Sequence, residues 1–290
     1  AFITGLTPTQ VTLLEDGLPI TPQSVEETQP GVQFAVALDA GAAFAFRGAD
    51  AVSRLDKVNI ILQSWAEAHS DTFGDSLSLV PNAAATGSHL TETSAFLEAL
   101  DAYQPDLQTL DSSLDTLSNA LEVVSASDLD SGMKRVVLYI TSPPDLASIP
   151  ALENLTGLAV SLDVRVHVWV VTSTDFFGVS GATALKDLAI LTGGSYALYS
   201  GSEPLPDPEV YLTPLRHAYR LTYDSAIRSA GAHSLAVQVA VEGGTVTSEP
   251  ISFDFSVEPP NPILVSPPTQ IVRQGVDPRS SDFSAYLPAS

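Results

Sequence analysis

The stretch Val32-Gln33-Phe34-Ala35-Val36-Ala37-Leu38 is apolar at every position but one. A strand with one face in water alternates apolar and polar residues; a strand buried on both faces cannot. Two further runs share this texture, Val136-Val137-Leu138-Tyr139-Ile140 and Val164 to Val171. Between them lie segments whose apolar residues recur at helical spacing. Ala51 to His69 carries Val52, Leu55, Val58, Ile61, Leu62 and Trp65, and Leu107 to Val124 carries Leu107, Leu110, Leu114, Leu117 and Leu121. Thr93 to Tyr103, Ala147 to Leu162, Gly181 to Leu191 and Glu209 to Ala218 read as further helices, with short strands at Ser76 to Val80 and Tyr196 to Tyr199. Strands separated by helices over residues 32–218 predict an α/β fold, a doubly wound and mostly parallel sheet covered on both faces.

The ends of the chain are different. Val11 to Leu14 and Leu18 to Ile20 flank Glu15-Asp16-Gly17, whose Asp-Gly pair signals a hairpin, and Pro19 places the second strand at an edge. After Tyr219 the helical pattern stops, and Tyr219 to Tyr223, Ser234 to Val241 and Ile251 to Val257 alternate as half-buried strands. Neither group suffices alone for a stable β-structure. Residues 1–31 and 219–257 are therefore expected to build one small antiparallel β-sandwich, with the α/β domain inserted into it. Prolines 259, 260, 262, 267 and 268 predict an extended linker, or the start of a further domain, over residues 258–290.

Charge narrows the function classes. Thirty-four acidic against 12 basic side chains give a formal charge of −22, which repels phosphate backbones and anionic lipid. With no cysteine, thiolate metal sites and cysteine nucleophiles are excluded. The scarcity of lysine, the single methionine and a first residue that is Ala rather than Met suggest a processed, extracytoplasmic protein of the cell surface or periplasm.

The strand Phe34 to Leu38 followed by Asp39-Ala40-Gly41-Ala42-Ala43 resembles the first strand and D-x-S-x-S motif of von Willebrand factor type A domains. Leu188 to Gly194 is similar to that family's penultimate helix with its Gly-Gly exit, and Tyr219 onward resembles the β region flanking such domains in bacterial surface proteins. The resemblance implies a protein-binding or adhesion module of a larger assembly, without enzymatic activity. It also implies a metal-ion-dependent adhesion site built from an Asp and two Ser of the first loop, a Thr of the second and an Asp after the fourth strand. Here Asp39 is retained, Gly41 and Ala43 replace the serines, the Thr is Thr91 or Thr93, and Ser142 stands for the last Asp. Mg²⁺ requires near-octahedral oxygen coordination, so the expectation is a degenerate site with no cofactor. The alternative is a Mg²⁺ or Ca²⁺ held through Asp39, Thr93 and water. The apolar run Ala42 to Phe46 then suggests protein contact through Phe44 and Phe46.

Other motifs have plainer readings. Gly74-Asp75-Ser76-Leu77 spells the signature of G-D-S-L esterases, with Ser76 as nucleophile, but no histidine has an Asp three residues before it. The five histidines form no metal-binding pair, and Thr192-Gly193-Gly194 reads as a helix stop. Asp111, Asp115, Glu122, Asp128 and Asp130 read as a solvated acidic face, and Asn154-Leu155-Thr156 is a glycosylation sequon where the machinery exists.

Overall fold

The computed structural model describes residues 3–82, 86–126 and 132–256, together with the two-residue strands Ile263–Leu264 and Ala285–Tyr286. The rest of the Pro-rich segment 258–290, and Asp128 and Asp130 of the acidic stretch, lie outside the described residues. The chain divides into two compact units, Ala1–Gly5 with Glu26–Arg220, and Leu6–Val25 with Leu221–Ser290. In chain order the first strands are β1 (Val11–Glu15), β2 (Leu18–Ile20) and β3 (Ser24–Thr28). The α/β unit follows with β4 (Val32–Leu38), α1 (Arg54–Ala68), β5 (Ser76–Pro81), β6 (Gly87–Leu90), α2 (Thr93–Ala102), α3 (Asp115–Val124), β7 (Lys134–Thr141), α4 (Ile149–Ser161), β8 (Val164–Val171), α5 (Ser180–Leu191), β9 (Tyr196–Tyr199) and α6 (Glu209–Leu212).

Its six-stranded sheet has the order β6-β5-β4-β7-β8-β9, parallel throughout except for β6. Every residue of β4 is buried, as its unbroken apolar texture requires. One face, with Phe34, Val36, Leu38, Leu138 and Trp169, packs under α1, α2 and α6; the other, with Ala35, Ala37, Val137, Val166 and Val168, packs under α3, α4 and α5. The chain reverses direction of travel across the sheet between β4 and β7. Such a switch point opens a crevice at the carboxyl ends of the strands.

Local chemistry sets the element ends. Ser53 caps α1 by accepting the Asp56 N–H while Asp56 returns a bond to the Ser53 N–H. Gly193 ends α5 in the left-handed region at φ +73°, and a Cβ on Gly194 would fall 1.9 Å from the Val166 carbonyl oxygen of β8.

The second unit is antiparallel. β11 (Gly231–Val241), which follows β10 (Ala218–Thr222), pairs with β1 along one edge, and β1 pairs with β2. The other edge of β11 carries β12 (Gly244–Thr247) and β13 (Ile251–Phe255) in succession. The β-structure thus draws on both ends of the chain, and the α/β unit interrupts it.

Candidate functional site

Asp39 directly follows β4 at the switch point, and its backbone N–H continues the ladder to Ile140 O at 2.8 Å. Its side chain is 1% exposed. Oδ1 accepts from the Ser113 N–H at 2.9 Å and the Thr116 hydroxyl at 3.2 Å. Oδ2 accepts from the Thr141 hydroxyl at 2.7 Å and more distantly from the Tyr139 hydroxyl at 3.5 Å. Burial raises the Asp39 pKa and these four donors oppose the rise. The Tyr139 hydroxyl, also buried and facing that carboxylate, is pushed far upward and stays a donor.

Above Asp39 lies an open cleft of about 450 Å³, walled by residues 111–114 on one side and Ser142 to Asp145 with Ser148 on the other. Ser112 Oγ and Ser142 Oγ meet across it at 3.0 Å. Asp111 and Asp145 line it, and no basic residue does. The Asp145 carboxylate sits below its usual range because it accepts from Ser148.

The oxygens a hard cation would need are engaged or missing. Both Asp39 oxygens already accept from protein donors, and Gly41 and Ala43 carry no side-chain oxygen. A Cβ placed on Gly41 would lie 2.9 Å from Ser112 Oγ, so Ser112 holds the space into which a serine at 41 would reach. This donor set does not fit a near-octahedral ion.

Two expectations from sequence need correction. Thr91 and Thr93 are at the far end of the sheet. β6 runs antiparallel to β5, with Leu90 opposite Leu77, and returns the chain to the amino end of β5; there the Thr93 N–H donates to Asp71 Oδ1 at 2.9 Å. The threonine hydroxyls that reach Asp39 are instead those of Thr116 and Thr141. Phe44 is 0% exposed and belongs to the core under α1, so it offers no surface for contact. The short 3₁₀ turn Ala42–Ala45 points it inward.

Phe46 is 55% exposed, and the Arg54 guanidinium lies 4.5 Å from its ring centre. Arg54 is itself buried and ties three loops together. It donates to Ser200 O at 2.7 Å, Ala43 O at 2.9 Å and Ser173 Oγ at 3.1 Å. Leu146 and Phe176, on the loops after β7 and β8, are also exposed. The carboxyl-end face therefore combines a polar, acidic cleft with protruding apolar side chains, those of Phe46 and Phe176 on loops that Arg54 links.

Sequence reasoning missed Ser112, Ser113 and Thr116 as neighbours of Asp39, because residues 107–124 read as one helix. Only Asp115–Val124 is helical. The signal was Asp111-Ser112-Ser113, residues that compete for backbone hydrogen bonds and favour helix starts over interiors.

Ser76 lies with its Oγ 3.4 Å from His89 Nδ1, and among the described residues no carboxylate orients that ring. Its neighbour Asp75 is 3% exposed and committed elsewhere, accepting the Val32 N–H and pairing with Arg216 at 2.7 Å.

No protein-family model matches this sequence, and no curated protein is significantly similar to it. Similar solved structures include an aerotolerance-related membrane protein from Bacteroides fragilis, with 14% identity over 64% of this chain and 98% of that one and a TM-score of 0.48. The SpRpn10 VWA domain shares 10% identity over 60% and 90%, at 0.45. Manganese-loaded TRAP protein from Plasmodium vivax shares 11% over 77% and 95%, at 0.44. Likeness at this level carries no activity or ligand across. Its strand order and single antiparallel edge strand, with an Asp placed directly after a central strand, make the α/β unit a mostly parallel sheet flanked by helices, consistent with the von Willebrand factor type A fold that the resemblance implies.

Proposed function

We propose that this chain is a non-enzymatic, extracytoplasmic protein-interaction module of a larger assembly, whose carboxyl-end face works without a divalent cation. The observation that carries this reading is the state of Asp39: a buried carboxylate saturated by Ser113, Thr116, Thr141 and Tyr139, beside Gly41 and Ala43. A partner is held by apolar contact at Phe46 and Leu146 and by its basic side chains in the cleft of Asp111 and Asp145. Composition supports the extracytoplasmic setting, with three lysines and no cysteine in 290 residues.

The test is a thermal melt of the chain in EDTA and in millimolar Mg²⁺ or Ca²⁺, alongside hydrolysis of a short-chain ester. The reading predicts equal melting temperatures and no hydrolysis. A ligand at a hundred times its Kd would stabilise by about 2.7 kcal/mol, so a rise of several degrees overturns the cation-free reading. Ester hydrolysis lost in Ser76→Ala would overturn the non-enzymatic one.

A further inference from the structure

On the face of the sheet away from α1 and α2, the neighbouring helices α4 and α5 enclose a groove of about 390 Å³. Leu152, 1% exposed, lies deep in it beside the half-buried Ala184, and the Thr156 hydroxyl is spent on the Leu152 carbonyl at 2.9 Å. Ile190 and Leu191 stand at its rim, 59% and 65% exposed. They lie off the side of α5 that packs on the sheet, which is made by Ala182, Leu185, Leu188 and Ala189. An outward helix surface is ordinarily polar. Here it carries large apolar side chains that the core does not use.

Each wall also contributes one carboxylate, Glu153 from α4 and Asp187 from α5, and no basic side chain lines the groove. We propose that the α4/α5 groove docks an amphipathic helix of another protein, its apolar stripe flanked by lysines or arginines. Two helices side by side offer a trough into which a third can pack, with anchors at i, i+3, i+4 and i+7. The paired carboxylates select the flanking charge, since like charges across an interface oppose association. A second copy of this chain, itself at −22, and an anionic lipid surface are both disfavoured on that ground. The groove shares no lining residue with the Asp39 cleft. This inference therefore goes beyond the function proposed above, and either can fail alone.

The test uses the full chain with labelled Ile, Leu and Val methyl groups, titrated with a synthetic helical peptide of Leu and Lys in that spacing, and with the same peptide carrying Glu for Lys. Expected are methyl shifts confined to Leu152, Ile190 and Leu191, with the Glu peptide silent. Affinity should weaken roughly tenfold or more in Glu153→Lys/Asp187→Lys, and change less than about twofold in the control reversal Glu98→Lys/Glu122→Lys on α2 and α3. Leu191→Asp should abolish the shifts while leaving the melting curve cooperative. Shifts scattered over the acidic surface, equal loss in the control reversal, binding of the Glu peptide, or no binding of the Lys peptide at millimolar concentration would each overturn the proposal.

Discussion

A carboxylate removed from water must recover its hydrogen bonds from the protein or give up its charge. Asp39 recovers them, and the geometry separates two substitutions that sequence alone would rank together. Asp39→Ala leaves the Ser113 N–H and the Thr116, Thr141 and Tyr139 hydroxyls without their acceptor. The cost of such stranded donors is about 2–3 kcal/mol, so thermal melts should fall by roughly 4–10 °C. Asp39→Asn keeps the shape and removes a charge that burial disfavours, and should change stability by less than about 1 kcal/mol. Equal destabilisation by both would mean that the charge itself holds the site together. Phe44 marks what the sequence could not show at this scale. An apolar residue in a loop reads alike whether it covers the core or meets a partner, and only its 0% exposure decides.

At the scale of elements, the central strands were legible because doubly buried strands leave no polar positions. The strands β7 and β8 and the helices α1, α4 and α5 stand close to where apolar period placed them. Two elements that bear on the candidate site were not legible. The β5–β6 hairpin is hidden because Gly87-Ser88-His89-Leu90 is short and polar, with His89 in the left-handed region at φ 55°. The first part of the Leu107 to Val124 stripe is an irregular segment, drawn onto Asp39 through Ser113. Both misreadings fall on the Thr-bearing part of the candidate site, which explains why Thr91 and Thr93 were expected there. The end of the α/β unit is held by a further element-level device. Arg216 bridges buried Asp75 and Glu209 and lies 4.1 Å over the Phe73 ring, while Trp65 donates to Glu209 at 3.3 Å. These contacts hold the Glu209 pKa down to about 2, against the upward pull of burial. Arg216→Ala strands the buried Asp75 carboxylate, and a loss of about 3–5 kcal/mol in urea unfolding is expected. A loss below about 1 kcal/mol would show the pair to be peripheral.

For the whole molecule, the acidic balance weighs against nucleic acid and anionic membranes as partners, whereas its acid stability depends on a residue no motif flags. His167, inside β8, is 5% exposed, stacks on Tyr211 at 3.9 Å and accepts the Ser195 N–H at 3.1 Å. Burial, with Arg165 nearby, lowers its pKa to about 4. Between the ordinary value of 6.5 and about 4, the unfolded chain binds the proton and the folded one does not, so stability falls as pH falls through that window. The full effect is about 3 kcal/mol. His167→Asn, which keeps an acceptor for Ser195, should flatten the stability profile there; an unchanged slope would place the acid sensitivity elsewhere.

All of this turns on whether Asp39 answers to the protein or to an ion. Mn²⁺ titration followed by electron paramagnetic resonance reads that directly, on the parent chain and on Asp39→Asn. The prediction is that neither shows a specific site. A single tight Mn²⁺ site in the parent that disappears in Asp39→Asn would contradict it.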